Sequence, residues 1–340
     1  AAYFQTQTPA IDLLIVDHYY LDITWQKLLK TTYKKLLVID DLANRQHCAN
    51  YLLDQTIARQ PEAYVNLVPS SCHLLLGQRF MLLRNEFIQL IAKAKIKRQQ
   101  TTKINNILLN LGGVDLNNTT LDLIEAVSYY RKVSKHLDLK LAIVLTSYSP
   151  HVEVIKKLVK DKSWINLTVD CNHMAKKMLS ADLAIGACGS SAWERCSLGL
   201  PTLAIVLADN QSLVCENLAN KNAIINLGHY QNLSKDKVYT AITSVVTDKN
   251  RYNSMVNNCF NSCDGQGLNN VLNTLTLNKV TLLKAELADL TLTFKWQSNP
   301  DIRKYSRNSK PVSYDEHVSW FSSSLTMPTR HLFIICFEDK

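Results

Sequence analysis

The chain has 340 residues, of which 46% are hydrophobic and 20% charged, a composition that suits a globular protein of two or three domains with packed cores. It contains no apolar run near the ~20 residues a membrane-spanning helix needs, and no basic stretch followed by an apolar core opens it as a secretory leader would. The net charge of +9 is moderate and dispersed. Nucleic-acid binding, which calls for basic residues interleaved with aromatics, is therefore not expected, whereas an anionic nucleotide substrate is compatible.

The first residues, Ala1-Ala-Tyr-Phe4, lead without an initiator Met towards Ile11–Val16, an apolar run of the kind found in buried parallel strands. We read this as a chain that starts part-way through a domain. A helical pattern over Trp25–Tyr33 follows, then a second buried strand, Lys35–Ile39, closed by Asp40-Asp41. Leu74–Gly77 reads as a short strand and Leu82–Arg84 as an edge loop. The basic cluster Lys93-Ala-Lys95-Ile-Lys97-Arg98 reads as a solvated helix end or linker.

From residue 101 the elements alternate: strand 105–111 running into Gly112-Gly113, helix 120–133, strand 139–145, helix 150–159, strand 165–169, helix 173–180, strand 183–185, a glycine-rich turn, a helix, and strand 201–206. Alternation of these lengths predicts a doubly wound parallel α/β sheet. The Asn-rich stretch 257–278, with its Asp264-Gly-Gln-Gly267 turn, reads as a joint. Beyond it, a strand from Val280, helices bearing Trp296 and Trp320, and a strand over His331–Phe337 form a segment of different character. The expected domains are thus 1–100, 101–275 and 279–340.

The nine cysteines are odd in number and contain no C-x-x-C pair, which indicates free thiols in a reducing cytoplasm. Cys259 and Cys263 stand at helical spacing without a nearby His, so no zinc site is expected.

The strongest chemical signal is Gly186-Ala-Cys-Gly189-Ser190-Ser191-Ala-Trp-Glu194-Arg-Cys-Ser-Leu-Gly199-Leu-Pro201. It lies between a buried strand and a helix, at the carboxyl edge where open α/β sheets bind ligands. Small residues let the backbone approach a pyrophosphate, and the first free amides of the helix are anion donors. The hydroxyls of Ser190 and Ser191 add to them, and the Glu194 carboxylate is placed to accept from a ribose diol. The Ser191-x-x-Glu194 spacing is equally that of a capping box, in which Glu194 folds back on the Ser191 amide. Both readings stand at this point.

The stretch from Ala181-Asp182 to Pro201, followed by Asp209-Asn210-Gln211, resembles the UDP-sugar hydrolases of pseudaminic acid biosynthesis, relatives of the GT-B glycosyltransferases of peptidoglycan synthesis. Further matches, in order, are Ile15-Val-Asp-His-Tyr19, Ile39-Asp-Asp-Leu-Ala-Asn-Arg45, Leu74-Leu-Leu-Gly77 with Leu82-Leu-Arg-Asn-Glu-Phe87, and Asn110-Leu-Gly-Gly-Val-Asp115. The resemblance implies a GT-B-like fold of two Rossmann-like domains, the first incomplete. It also implies hydrolysis of a UDP-linked diacetamido-trideoxy sugar to UDP and the free sugar. By similarity Glu194 holds the ribose, Gly189, Ser190 and Ser191 the phosphates, Gly113 lines the phosphate side, Asn210 and Gln211 face the sugar, and Tyr19 reaches in from the opposite domain.

The family's proposed base is a His in a G-x-G-H loop, a pattern that does not occur in this sequence. His18 is the residual candidate, and the chain as it stands is expected to be inactive. The alternatives are a GT-B glycosyltransferase, which needs an acceptor, and a non-catalytic nucleotide-sugar-binding module. No metal or other cofactor is implied for the hydrolase.

The last segment resembles the start of a GNAT-type N-acetyltransferase through Glu286–Leu290, Trp296–Arg303 and Ser313–Phe321, with Gln297 where that family commonly has Arg. Acetyl-CoA is implied only for a complete domain, and its glycine-rich pyrophosphate loop does not follow Phe321. An ordinary α/β appendage is the plainer reading of the same residues.

Overall fold

Short apolar runs punctuated by acids and glycines build the chain into parallel sheets. The computed structural model describes residues 11–112, 114–276, 280–303, 310–327 and 330–337. The chain divides into two units, the first ending at Val271 and the second beginning at Leu272.

The first unit carries two parallel sheets. In the smaller, β1 (Ile11–Asp17), β2 (Tyr33–Ile39), β3 (Tyr51–Asp54) and β4 (His73–Leu76) lie in chain order. Pairs such as Leu14↔Leu36 and Val16↔Val38 set the register of β1 on β2. The expectation of a fully buried first strand is corrected: Val16 is buried, but Ile15 is 55% exposed. The predicted helix 25–33 is also shorter. It is α1 (Ile23–Leu28), started by the Asp22 carboxylate, which accepts from the Thr24 and Trp25 amides. Tyr33 belongs to β2 instead. Strand β3 was not foreseen, although all four of its residues are buried.

The connection between the sheets runs through α2 (Asn85–Ile88) and α3 (Ile91–Gln100). Here the solvated reading of the basic cluster fails for two residues. Arg98 is buried and donates to the carbonyls of Leu198, Ala181 and Met178. Lys97 pairs with Asp182 at 2.7 Å, and Asp182 also accepts from the Asn105 and Asn106 amides. The cluster is a tether that fastens α3 to the larger sheet.

That sheet contains β5 (Asn106–Asn110), β6 (Lys140–Leu145), β7 (Ile165–Val169), β8 (Leu183–Ala187), β9 (Thr202–Val206) and β10 (Ile224–His229), ordered β10-β9-β8-β5-β6-β7. The intervening helices are α4 (Thr119–Val133), α5 (Val152–Val159), α6 (Met174–Ser180), α7 (Ser191–Ser197) and α8 (Ser212–Asn220), and α9 (Lys235–Val246) follows the last strand. The order reverses between β5 and β8, which creates the crevice where such sheets accept ligands. Ile107, Leu109, Leu141, Ile143, Leu183, Ile185, Leu203 and Ile205 form the core behind it.

The predicted joint over 257–278 is largely helical. Helix α10 (Lys249–Ser262) buries Tyr252, Met255, Val256 and Cys259 on one stripe. After the Asp264-Gly265 turn, α11 (Gly267–Thr276) carries the chain across the division between the units.

In the second unit β11 (Val280–Lys284) pairs antiparallel with β12 (Phe333–Phe337). Between them lie α12 (Leu290–Ser298), α13 (Pro300–Arg303) and α14 (Tyr314–Thr326). Helix α14 opens with a reciprocal cap between Ser313 and Glu316, and Leu290, Phe321 and Ile334 centre its small core.

Candidate functional site

The carboxyl ends of both sheets of the first unit open onto one cleft of about 600 Å³. Asp17, Tyr19, Ile39, Asp40, Asp41, Gln55 and Thr56 line it from β1, β2 and β3. Met81, Leu82 and Arg84 line it from the connection, and Cys188, Gly189, Ser190, Trp193, Glu194, Asn210, Gln211 and Val214 from the β8 and β9 side.

Strand β8 is buried throughout and delivers the chain to the Gly189-Ser190 turn. Ser190 takes the cap position of α7 in a helical conformation and makes no side-chain cap bond. The capping-box reading is therefore corrected. Glu194 reaches across the cleft, where its Oε1 accepts from Arg84 Nε at 2.9 Å. Arg84 also pairs with Glu86 at 2.9 Å. Gly186 serves a purpose other than approach to a ligand. A Cβ there would stand 2.7 Å from Arg195 Nη1 and 2.9 Å from the Asn110 carbonyl, so the glycine makes room for a buried guanidinium.

Across the cleft, the Tyr19 hydroxyl donates to Asp41 Oδ2 at 3.2 Å, and the Arg45 guanidinium sits 5.6 Å from the Tyr19 ring centre. Burial and the neighbouring Asp41 carboxylate push the Tyr19 phenol above its ordinary value. Burial also pushes the Asp41 carboxyl up. The hydrogen bond from Tyr19 opposes this, and the Asp40 and Asp54 charges reinforce it. Behind them Tyr64 reaches Asp54 at 2.8 Å and Asp40 at 3.1 Å. Arg45 pairs with Asp40 at 2.8 Å and Arg59 with Asp54 at 2.6 Å. This buried network holds the chain after β2 and β3 in place beneath the Tyr19–Asp41 pair.

The cleft thus brings together Tyr19, Gly189, Ser190, Glu194, Asn210 and Gln211. Gln211 is anchored by its Oε1, which accepts from the Leu207 amide. Ser191 stands behind the lining, its Oγ accepting from Arg195 Nη1 at 3.1 Å. His18 is not part of the lining. Its Nδ1 accepts from the Tyr20 amide at 3.1 Å. Gly113 lies outside the described residues. Sequence reasoning missed Asp41, Arg84 and Arg195 as site residues, although each lies in a motif quoted above. Among the described residues, no group of three or more His, Cys, Asp or Glu could hold a metal ion.

The second unit has its own pocket of about 310 Å³, walled by Trp296, Trp320 and Phe321. Its buried His317 bonds through Nδ1 to Gln297 Oε1 at 2.6 Å and through Nε2 to Thr293 Oγ1 at 3.1 Å. Burial lowers the affinity of this imidazole for a second proton.

The sequence matches no protein-family model. It is 29% identical over 211 residues to the UDP-2,4-diacetamido-2,4,6-trideoxy-β-L-altropyranose hydrolase of Campylobacter jejuni, covering 62% of this chain and 72% of that one. It is 23% identical over 325 residues to an uncharacterized protein of Methanocaldococcus jannaschii, covering 92% of this chain but only 63% of the relative's length. Because the first unit ends at residue 271 of 340, that match runs into the second unit. Among solved structures, the UDP-GlcNAc 2-epimerase of Neisseria meningitidis, bound to UDP-GlcNAc, superposes with a TM-score of 0.53 at 15% identity, covering 78% of this chain and 76% of that one. MurG of Acinetobacter baumannii superposes at 0.52 and 16% identity, covering 77% and 72%. The fold is GT-B-like. In the first unit two Rossmann-like parallel sheets present their carboxyl ends to a shared cleft.

Proposed function

We propose that this cleft binds the UDP portion of a nucleotide-linked sugar and that the chain, against the expectation of inactivity drawn from its lack of a G-x-G-H pattern, releases UDP by attack of water on the anomeric carbon. The observation that carries the reading is the pairing of a Gly189-Ser190 turn and a Glu194 carboxylate on one wall with a Tyr19–Asp41 pair on the other. The likeness to a named UDP-sugar hydrolase over 211 residues supports it. Glu194 accepts from the ribose hydroxyls. The Gly189 and Ser190 amides and the Ser190 hydroxyl face the diphosphate, with Ser191 behind them. Asn210 and Gln211 face the sugar.

In the reaction, the water oxygen bonds to the anomeric carbon and the bond from that carbon to the diphosphate oxygen breaks. Its electron pair leaves with UDP, and donors on the turn stabilise the developing charge. The water's proton passes to Asp41, a cleft carboxylate whose raised proton affinity suits a general base. Asp41 takes this role in the proposal because the His18 ring is engaged with the Tyr20 amide. The Campylobacter enzyme's diacetamido-trideoxy sugar is the first substrate to test, which would place the chain in pseudaminic acid synthesis. For the second unit, the resemblance carried by Glu286–Leu290, Trp296–Arg303 and Ser313–Phe321 is what supports an N-acetyltransferase-like segment, to which no acetyl transfer is assigned.

The deciding experiment incubates the chain with the UDP-sugar alone and measures free UDP. Release without an acceptor supports hydrolysis. Release only after a sugar acceptor is added makes the protein a glycosyltransferase. Binding without turnover under either condition makes it a nucleotide-sugar-binding module.

A further inference from the structure

The first unit buries a cation that the reaction above does not use. Arg195 lies on α7 with 2% of its surface exposed, directly behind the Gly189–Ser191 turn. Its Nη1 donates to Ser191 Oγ at 3.1 Å and its Nη2 to the Ala187 carbonyl at 2.5 Å. Among the described residues its buried Nε has no partner. None of the ion pairs among the described residues includes it. The adjacent acid, Glu194, is taken by Arg84, and the thiols of Cys188, Cys196 and Cys259 are further neighbours. Isolated buried charges are costly and persist where something compensates them. Gly186 lacks the Cβ that would displace this guanidinium, so the strand itself is built to keep the charge in place.

We infer that Arg195 is a positioning residue for the phosphates of the ligand. It supplies positive charge from beneath the turn and, by donating to Ser191 Oγ, leaves the Ser191 proton to be given to an anion. The inference rests on the UDP reading of the cleft. It adds a prediction that reading does not make: the contribution of Arg195 grows with the number of phosphates and vanishes for the bare nucleoside.

The test is calorimetric titration of the full chain and its Arg195→Met, Arg195→Lys and Ser191→Ala variants with uridine, UMP and UDP. Arg195→Met is expected to weaken UDP about ten- to hundred-fold, the worth of a charge-assisted hydrogen bond, and UMP by less. Uridine should stay within about two-fold. Arg195→Lys should restore part of the UDP loss. Ser191→Ala, which alters a half-buried position, keeps the test open if Arg195→Met fails to fold. It is expected to weaken UDP while sparing uridine, and in the double variant the two losses should fall short of their sum. Equal losses for all three ligands, or a UDP affinity untouched by Ser191→Ala and Arg195→Lys, overturn the inference and leave Arg195 a packing residue. If the unaltered chain binds neither UDP nor uridine, the UDP reading itself falls, and this inference falls with it.

Discussion

Replacing Glu194 with Ala separates recognition of a nucleoside from stability of a helix. Among the described residues the carboxylate has one partner, Arg84 Nε at 2.9 Å, and the Arg84 side chain is 57% exposed. A pair with one arm in water contributes at most about 1 kcal/mol after screening. The Ala variant should therefore lose no more than that in denaturant unfolding. The affinity change is larger, because a ribose hydroxyl that loses a charged acceptor in a partly enclosed cleft forfeits about 1.5–3 kcal/mol, or roughly ten- to hundred-fold in UDP binding. The assay is a UDP titration of the variant beside its unfolding curve, with Arg84→Ala as a control whose stability loss should be at least as large, because Arg84 also pairs with Glu86. The reasoning is refuted if UDP affinity stays within about two-fold of the parent. It is equally refuted if Glu194→Ala costs well over 2 kcal/mol while Arg84→Ala costs nothing, the pattern of a helix cap.

Two further outcomes follow from the same geometry. Asp41→Asn is expected to abolish UDP release while leaving UDP affinity nearly unchanged. Because the folded state raises the Asp41 carboxyl, its contribution to stability is fully present below its unfolded value and is lost as pH rises through the folded one. The variant should accordingly unfold at a higher temperature than the parent at neutral pH and lose that advantage towards pH 4, as thermal melts across that range will show. Gly199→Ala places a Cβ against the Phe260 ring at a backbone φ of +56°. It should cost about 1–3 kcal/mol in denaturant unfolding, since both the left-handed conformation and the overpacking oppose it.

The larger sheet was readable because β5, β6, β8 and β9 are continuous apolar runs that a parallel sheet buries on both faces, with turns at Gly112 and Gly189 marking their carboxyl ends. Strand β3 was not read because Tyr51–Asp54 holds only two consecutive aliphatic residues before an acid, whereas Leu74–Leu76 in β4 runs apolar into a glycine. Helices α10 and α11 were hidden under asparagines, although the stripe of Tyr252, Met255, Val256 and Cys259 has helical spacing. Charged residues were the hardest to place. Lys97 and Arg98 look solvent-bound in a basic run, and only the fold reveals the carbonyls of Met178, Ala181 and Leu198 waiting for the guanidinium. Arg84 and Glu194 are separated by 110 residues, so no local pattern could pair them, and the nearer Ser191 made a capping box the natural alternative. Arg195 sits inside the motif itself, yet a basic residue on a short helix ordinarily faces water.

The most direct measurement is a calorimetric titration of the purified chain with UDP. The account expects saturation at one UDP per chain, with a dissociation constant on the order of 1 μM to 1 mM, the range in which enzymes hold their substrates. A flat titration up to several times the top of that range would contradict the assignment of the cleft between the two sheets.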